Sequence, residues 1–381
     1  MKKLFIFLLA ISLVGSLESQ TRRRTVSSQS AVSYNGATQY LSKTTPVSMD
    51  LNGSELITAS NNRDFEVNIG NWLGGGNQAI ERITSDFHSG VACAQITATG
   101  AGDNNANLIY CAAGPTMITG YKYTKEIWAK SVSGNASLTM AVIAQTKTVT
   151  ITTGWAKYVF NFVGVTTGTL RVYLAGAGVC LIDDVSLTQA YDAMVIIKLQ
   201  AQSSNFSAYR RIFELYGTGN IPKIDISGAS GTQAGWVRII DGEGGAFGSF
   251  PSTGNIATGS YVNYTVTFDH ATGIICHYVN GNGNSSSSLA IGKLTGFNGF
   301  DIGKNNYWLG SIAEIQYTRF TALPSDIASI IAGISATKKP LSSYTNGTIV
   351  GWWDWKNGFQ DKMGLNNLLP TGGPQIISVR Y

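Results

Sequence analysis

Charge is scarce in this chain of 381 residues: Asp, Glu, Lys and Arg make up 13% of it, and the formal net charge is +5. So small a balance, with no basic stripe interleaved with aromatics, argues against a nucleic-acid partner. The one basic cluster, Arg22, Arg23 and Arg24, reads as a solvated flank. Histidine is limited to His88, His270 and His277. Neither Gly-x-Ser-x-Gly nor His-Glu-x-x-His occurs, and the glycines around Glu243 lack the Lys and following helix of a phosphate loop. An enzyme needs a set of acids, bases or nucleophiles, and no such set is legible. The four cysteines, Cys93, Cys111, Cys180 and Cys276, form no Cys-x-x-Cys pair, which argues against a zinc or dithiol site. Each lies in an apolar, strand-like run. Four buried thiols, or one disulfide among Cys93, Cys111 and Cys180, are the two readings. Proline is rare, at 8, and glycine abundant, at 44. With Asn, Ser and Thr in the loops, this is the composition of an all-β exterior protein.

What is present begins with Lys2 and Lys3, an apolar run over 4–14, then Gly15 and Ser16. Basic, apolar, small is the layout of a secretory signal, and 1–24 is expected to be a signal-like or anchoring segment. The run is shorter than the ~20 residues of a membrane span.

Strand patterning is clearest over 261–320. Tyr264, Val266 and Phe268 alternate with Asn263, Thr265 and Thr267, which a strand places on opposite faces. Asn280, Gly281, Asn282 and Gly283 make a tight-turn signal. Short strands bounded by such turns argue for an antiparallel β-sandwich. The order of the pieces resembles the laminin-G/concanavalin-like jelly roll. The residues that carry the likeness are 265–269, 278–281, 300–303, 308–319 and 323–327, with an opening strand pair over 30–53. Ile327, Ile330, Ile331 and Ile334, at spacings of three and four, mark 323–332 as the one helical candidate.

Between those pieces lies a second pattern. Asp64-Phe65-Glu66 and Trp72 open it. Tyr123, Trp128 and Lys130 follow, then Trp155, Tyr158, Phe160 and Phe162, and Ile182-Asp183-Asp184-Val185 closes it. This resembles the cellulose/xylan-binding type of carbohydrate-binding module. The expected fold is therefore all-β: two antiparallel jelly-roll sandwiches, one inserted in a loop of the other. The expected divisions are 28–55 plus 190–335 for the laminin-G-like unit, 56–189 for the module, and 336–381 as a Trp-rich segment packing on the sandwich or a neighbour. An insertion at an exposed loop costs little closure entropy. A free-standing hairpin over 30–53 would be marginal in water.

A sugar site needs aromatic faces to stack on pyranose rings and polar groups to bond hydroxyls. The candidates are Trp72, Tyr110, Tyr121 and Trp128 in the module, and Tyr209, Trp236 and Tyr307 in the other unit. Trp128, Trp155 and Trp308 lie where the resembled folds keep core aromatics. Asp183 and Asp184, adjacent on a strand, point to opposite faces and cannot flank a glycosidic bond. The laminarinase-like relatives of the jelly roll carry Glu-x-Asp-x-x-Glu, which is missing here. The module resemblance implies a structural calcium, with Asp64, Glu66 and Asp184 at the matching positions; carboxylate oxygens suit that ion. Linker style near 40–56 resembles structural and receptor-binding proteins of phages infecting Bacteroidetes-type hosts. The expectation is a non-catalytic glycan-recognition or adhesion protein, on a virion surface or secreted to a cell surface. Its partners would be polysaccharide, other virion proteins or copies of itself. A secreted bacterial adhesin and a purely structural virion subunit are the alternatives.

Overall fold

The computed structural model describes residues 29–379 apart from 36–37, 135, 143–144, 165–168, 202–205, 207, 243–245, 287–288, 290, 305–306, 326, 328–330, 332–346, 357 and 372–373. The N-terminal segment expected over 1–24 lies outside these residues. So does half of the helical candidate over 323–332, of which Ile327 and Ile331 are helical where described.

The fold is all-β, in four antiparallel sheets. Sheet A centres on the long Asp192–Ala201 and Leu309–Phe320 strands, and sheet B runs in the order Ala246–Asn255, Ala234–Ile240, Lys223–Gly228, Arg210–Tyr216, Gly299–Ile302, Tyr40–Thr44, Leu369–Thr371. Sheet C centres on Lys122–Gly134 and Gly178–Ala190, and sheet D on Ser137–Val142 and Leu170–Leu174. Sheets A and B take strands from 29–44 and 192–379, whereas sheets C and D take theirs from 52–190. The two chain crossings between these sets are neighbours: Tyr191 N donates to Leu51 O at 2.8 Å.

Each pair of sheets encloses its own core. Between A and B lie Tyr264, Phe213, Phe300, Trp308, Tyr317 and Trp353. Between C and D lie Phe65, Trp72, Tyr123, Ile127, Phe162 and Leu187. The alternation seen over 261–268 holds because Val262–Asp269 has only one face on the core, where Tyr264, Val266 and Phe268 sit. The Trp-rich C-terminal segment, expected as a layer on the sandwich, is woven into it. Gly347–Trp353 and Gln375–Val379 join sheet A, and Leu369–Thr371 joins sheet B. All four cysteines are free thiols, with Cys93, Cys111 and Cys180 buried.

The two sandwiches meet through polar contacts. Lys122 on sheet C donates to Asp192 Oδ2 and Asp269 Oδ1 of sheet A, both at 2.6 Å. Asn52 donates to Thr188 Oγ1 at 2.9 Å while its Oδ1 accepts from Leu294 N at 2.7 Å. Glu126 accepts from Lys293 N at 2.8 Å. Lys157 pairs with Asp241 at 3.1 Å.

His277 is structural: its Nδ1 lies 2.7 Å from Tyr264 Oη, and burial pushes the ring down to about 4. The sign follows from comparing the folded and unfolded chains. An unfolded histidine protonates near pH 6.5, so the stability that depends on the neutral ring is intact above that pH and is lost as pH falls toward 4. Phenylalanine cannot titrate. Between about pH 7 and pH 4.5, His277→Phe should therefore lose about 2 kcal/mol less unfolding free energy than the parent. Urea unfolding at the two pH values reads this, and equal losses would contradict it.

Candidate functional site on the outer face of sheet B

Residues paired across neighbouring strands share a face of the sheet. On the outer face of sheet B, Ser42, Asp301, Glu214, Asp225 and Arg238 form one row across five strands. Beside it run Arg211, Ser227 and Trp236, and on the other side Gly299, Tyr216 and Lys223. The residues flanking each acid point inward: Phe213 and Leu215, Ile224 and Ile226, Phe300 and Ile302 are all in the core. Core burial of those neighbours fixes the acids outward.

The three carboxylates are only about 1% exposed, because longer cationic side chains lie against them. Arg211 reaches Asp225 at 2.8 Å, and Arg238 reaches the same oxygen at 3.4 Å. Lys223 pairs with Glu214, and Lys304 with Asp301 at 3.0 Å. Burial pushes Asp225 up to about 6 against the pull of Arg211. Burial likewise raises Asp301, with Lys304 opposing.

Aromatic pairs stand at both ends of this floor. Tyr209 and Trp236 lie with ring centroids 4.0 Å apart and planes at 30°, and Tyr209 is 37% exposed. Tyr40, on the face of Ser42, lies 6.2 Å from Tyr307. Lys304 stands over the Tyr40 ring at 5.0 Å. Arg210 Nη1 donates to Tyr307 O at 3.0 Å, tying down the Tyr307 loop. Four strand spacings separate the Tyr40 strand from the Trp236 strand, about 19 Å. Beneath Trp236, Gly235 leaves room for the Tyr264 ring: a Cβ there would stand 2.4 Å from it.

Trp236 and Tyr307, chosen from sequence, thus come to one face. The other candidates do not join them. Trp72 is fully buried in the sheet C/D core with its indole donating to Asn62 O at 2.9 Å, so it has no face to offer a ligand. Tyr121 is packed against the same core. Tyr110 is half-buried on sheet D, paired with Leu73 and Arg171. Trp308 is core, as its position implied, but Trp128 and Trp155 are only half-buried.

Asp64, Glu66 and Asp184, the residues expected to hold calcium, each have hydrogen-bond partners of their own. Glu66 accepts from Val91 N at 2.9 Å, and Asp64 from Glu66 N at 3.3 Å. Asp184 meets His88 Nδ1 at 2.7 Å and Ser89 Oγ at 3.0 Å. Among the described residues no group of three His, Cys, Asp or Glu side chains is placed to hold a metal. The expectation that Asp183 and Asp184 diverge also needs correction. A register slip follows Asp183, Asp184 has φ +45°, and Asp183 accepts from His88 N and Ser89 N. The bulge turns both carboxylates onto one loop.

No protein-family model and no curated protein matches the chain. Among solved structures it is similar to a putative carbohydrate binding protein from Bacteroides ovatus, at 9% identity over 80% of this chain and 93% of that one, TM-score 0.37. It is similar to a heptameric pentraxin from Limulus polyphemus, at 8% identity over 68% and 94%, TM-score 0.35. A xylan-binding domain from Paenibacillus barcinonensis is 16% identical over 36% of this chain and 96% of that one, TM-score 0.28. These are distant likenesses, and no residue role is carried over from any of them.

Proposed function

We propose that this chain is a non-catalytic glycan-recognition protein that binds polysaccharide along the outer face of sheet B. The observation that carries the reading is the framing of one polar floor by two aromatic pairs, Tyr209–Trp236 and Tyr40–Tyr307. Pyranose C–H faces stack on such rings, and their hydroxyls exchange hydrogen bonds with charged side chains. A hydrolytic role is disfavoured by the state of the acids. Asp225, Glu214 and Asp301 are each held by a cation and covered by it, whereas a glycosidase needs one free general acid and one open carboxylate.

Within this proposal, 52–190 is an inserted sugar-binding module, and the protein is displayed on an exterior surface, as an attachment component of a virion. The basic-apolar-small start of the chain favours a second version, a secreted adhesin. The test is binding of the purified chain to a glycan array and to intact candidate host cells, alongside an assay for reducing-sugar release. Saturable binding without sugar release is expected. Sugar release would make it an enzyme; absence of binding in both formats would leave a structural subunit.

A further inference from the structure

A second site lies away from that face, where the two sandwiches meet. A polar cleft of about 330 Å³ opens there, lined on the module side by Arg63, Asp64, Trp128, Asp184 and Ser186 and on the other by Lys293. Three observations mark it as built rather than incidental. His88 stacks on Trp128 with centroids 3.7 Å apart and planes at 14°, and Trp155 stands behind His88 at 5.9 Å. Ser186 is 7% exposed and its Oγ has no hydrogen-bond partner among the described residues. Arg63 Nε, also buried, lacks one too, and the guanidinium has no ion pair there. Native structures rarely leave buried donors unpaired. Two such groups belong to residues that border one cleft, beside an aromatic wall.

We infer that this cleft binds one neutral pyranose unit, with the Trp128–His88 wall against the ring and its hydroxyls bonded by Arg63, Ser186, Lys293 and the carboxylates. The inference takes its ligand class from the glycan reading above and places it at a separate site. A hydroxyl both donates and accepts, so a ring of hydroxyls needs a lining of mixed character. This lining is mixed: Arg63, Lys293 and Ser186 donate, while Asp64, Glu55, Glu126 and Asp184 accept. Acids outnumber cations, which works against an acidic sugar. The volume lies within the range of pockets that enclose small ligands. Both sandwiches contribute, so an occupied cleft would also fix their relative placement.

The experiment is a titration of the ¹⁵N-labelled full chain with cellohexaose, xylohexaose and hexagalacturonate, watching the indole N–H signals of Trp128 and Trp236. Each tryptophan reports its own site. Expected is a saturable shift of Trp128 with at least one neutral hexaose and not with hexagalacturonate. Ser186→Val, which fills the cleft, and Arg63→Gln, a milder change, should each weaken the Trp128 response at least tenfold and leave the Trp236 response unchanged. The inference falls if Trp236 responds while Trp128 does not, which leaves the sheet B reading standing. It also falls if Trp128 responds only to hexagalacturonate, or if neither cleft variant alters the response. If Trp128 responds and Trp236 does not, the sheet B reading fails and the cleft stands; if neither moves, both fail.

Discussion

Replacing Lys122 with methionine is expected to remove about 3–5 kcal/mol of unfolding free energy, the usual cost of stranding a buried charge. The Lys122 ammonium sits between Asp192 and Asp269, 2.6 Å from each, and Asp192 is fully buried. The two carboxylates respond differently to the same cation. Burial keeps Asp192 above the usual carboxylate range despite Lys122. Asp269 is also pushed up by burial, but it is partly exposed, and its bond to Lys122 holds it below that range. Without the lysine both would rise. An acid whose folded pKa is raised loses stability as pH climbs through that value. The deficit of Lys122→Met should therefore be full at neutral pH and shrink toward pH 4. Adding Asp192→Asn removes the stranded charge, so the double variant should be more stable than the sum of its parts by about 1–3 kcal/mol. Chemical denaturation of the four proteins reads both outcomes, and strict additivity with no pH dependence would contradict them. Because Lys122 belongs to one sandwich and the aspartates to the other, the same variant tests how tightly the two are coupled.

The second large effect is on binding. Trp236→Ala is expected to weaken glycan affinity by about 2 kcal/mol, roughly thirtyfold. The indole is half of the tilted pair with Tyr209, and its other neighbours are Ser227 and Arg238 of the polar floor. Truncation removes the ring without touching the core, since the inward neighbours Gly235 and Val237 stay in place. Unfolding free energy should move by less than about 1 kcal/mol. Tyr209→Ala should give a smaller loss, because the remaining indole still presents a face.

Much of the fold could be seen in advance, and for a physical reason. Period-two alternation survives wherever a strand has one face on a core, as in Val262–Asp269, and turn residues such as Asn280 and Gly281 take positive φ where the sequence places them. The site was legible only in part. Trp236 and Tyr307 were chosen as aromatics on strand-and-loop segments, but the same argument selected Trp72, and nothing local distinguishes a tryptophan that faces out from one that plugs a core. The acid row was missed because Asp301 is far along the chain from Glu214 and Asp225, and only sheet register makes the three neighbours. A signal did exist: each is a lone acid between two apolar residues in a strand, an arrangement a one-sided sheet tolerates only on its outer face. The bulge around Asp184 was not legible either: its positive φ brings the carboxylate to His88 and Ser89, contacts that no local pattern signals.

The measurement that tests the central claim most directly is a calorimetric titration of the best array ligand into the full chain and into Trp236→Ala. Saturable binding to the parent, weakened roughly thirtyfold in a variant that unfolds at the same denaturant concentration, is the predicted result. Equal affinity in the two proteins would place the glycan somewhere other than the outer face of sheet B and contradict the account.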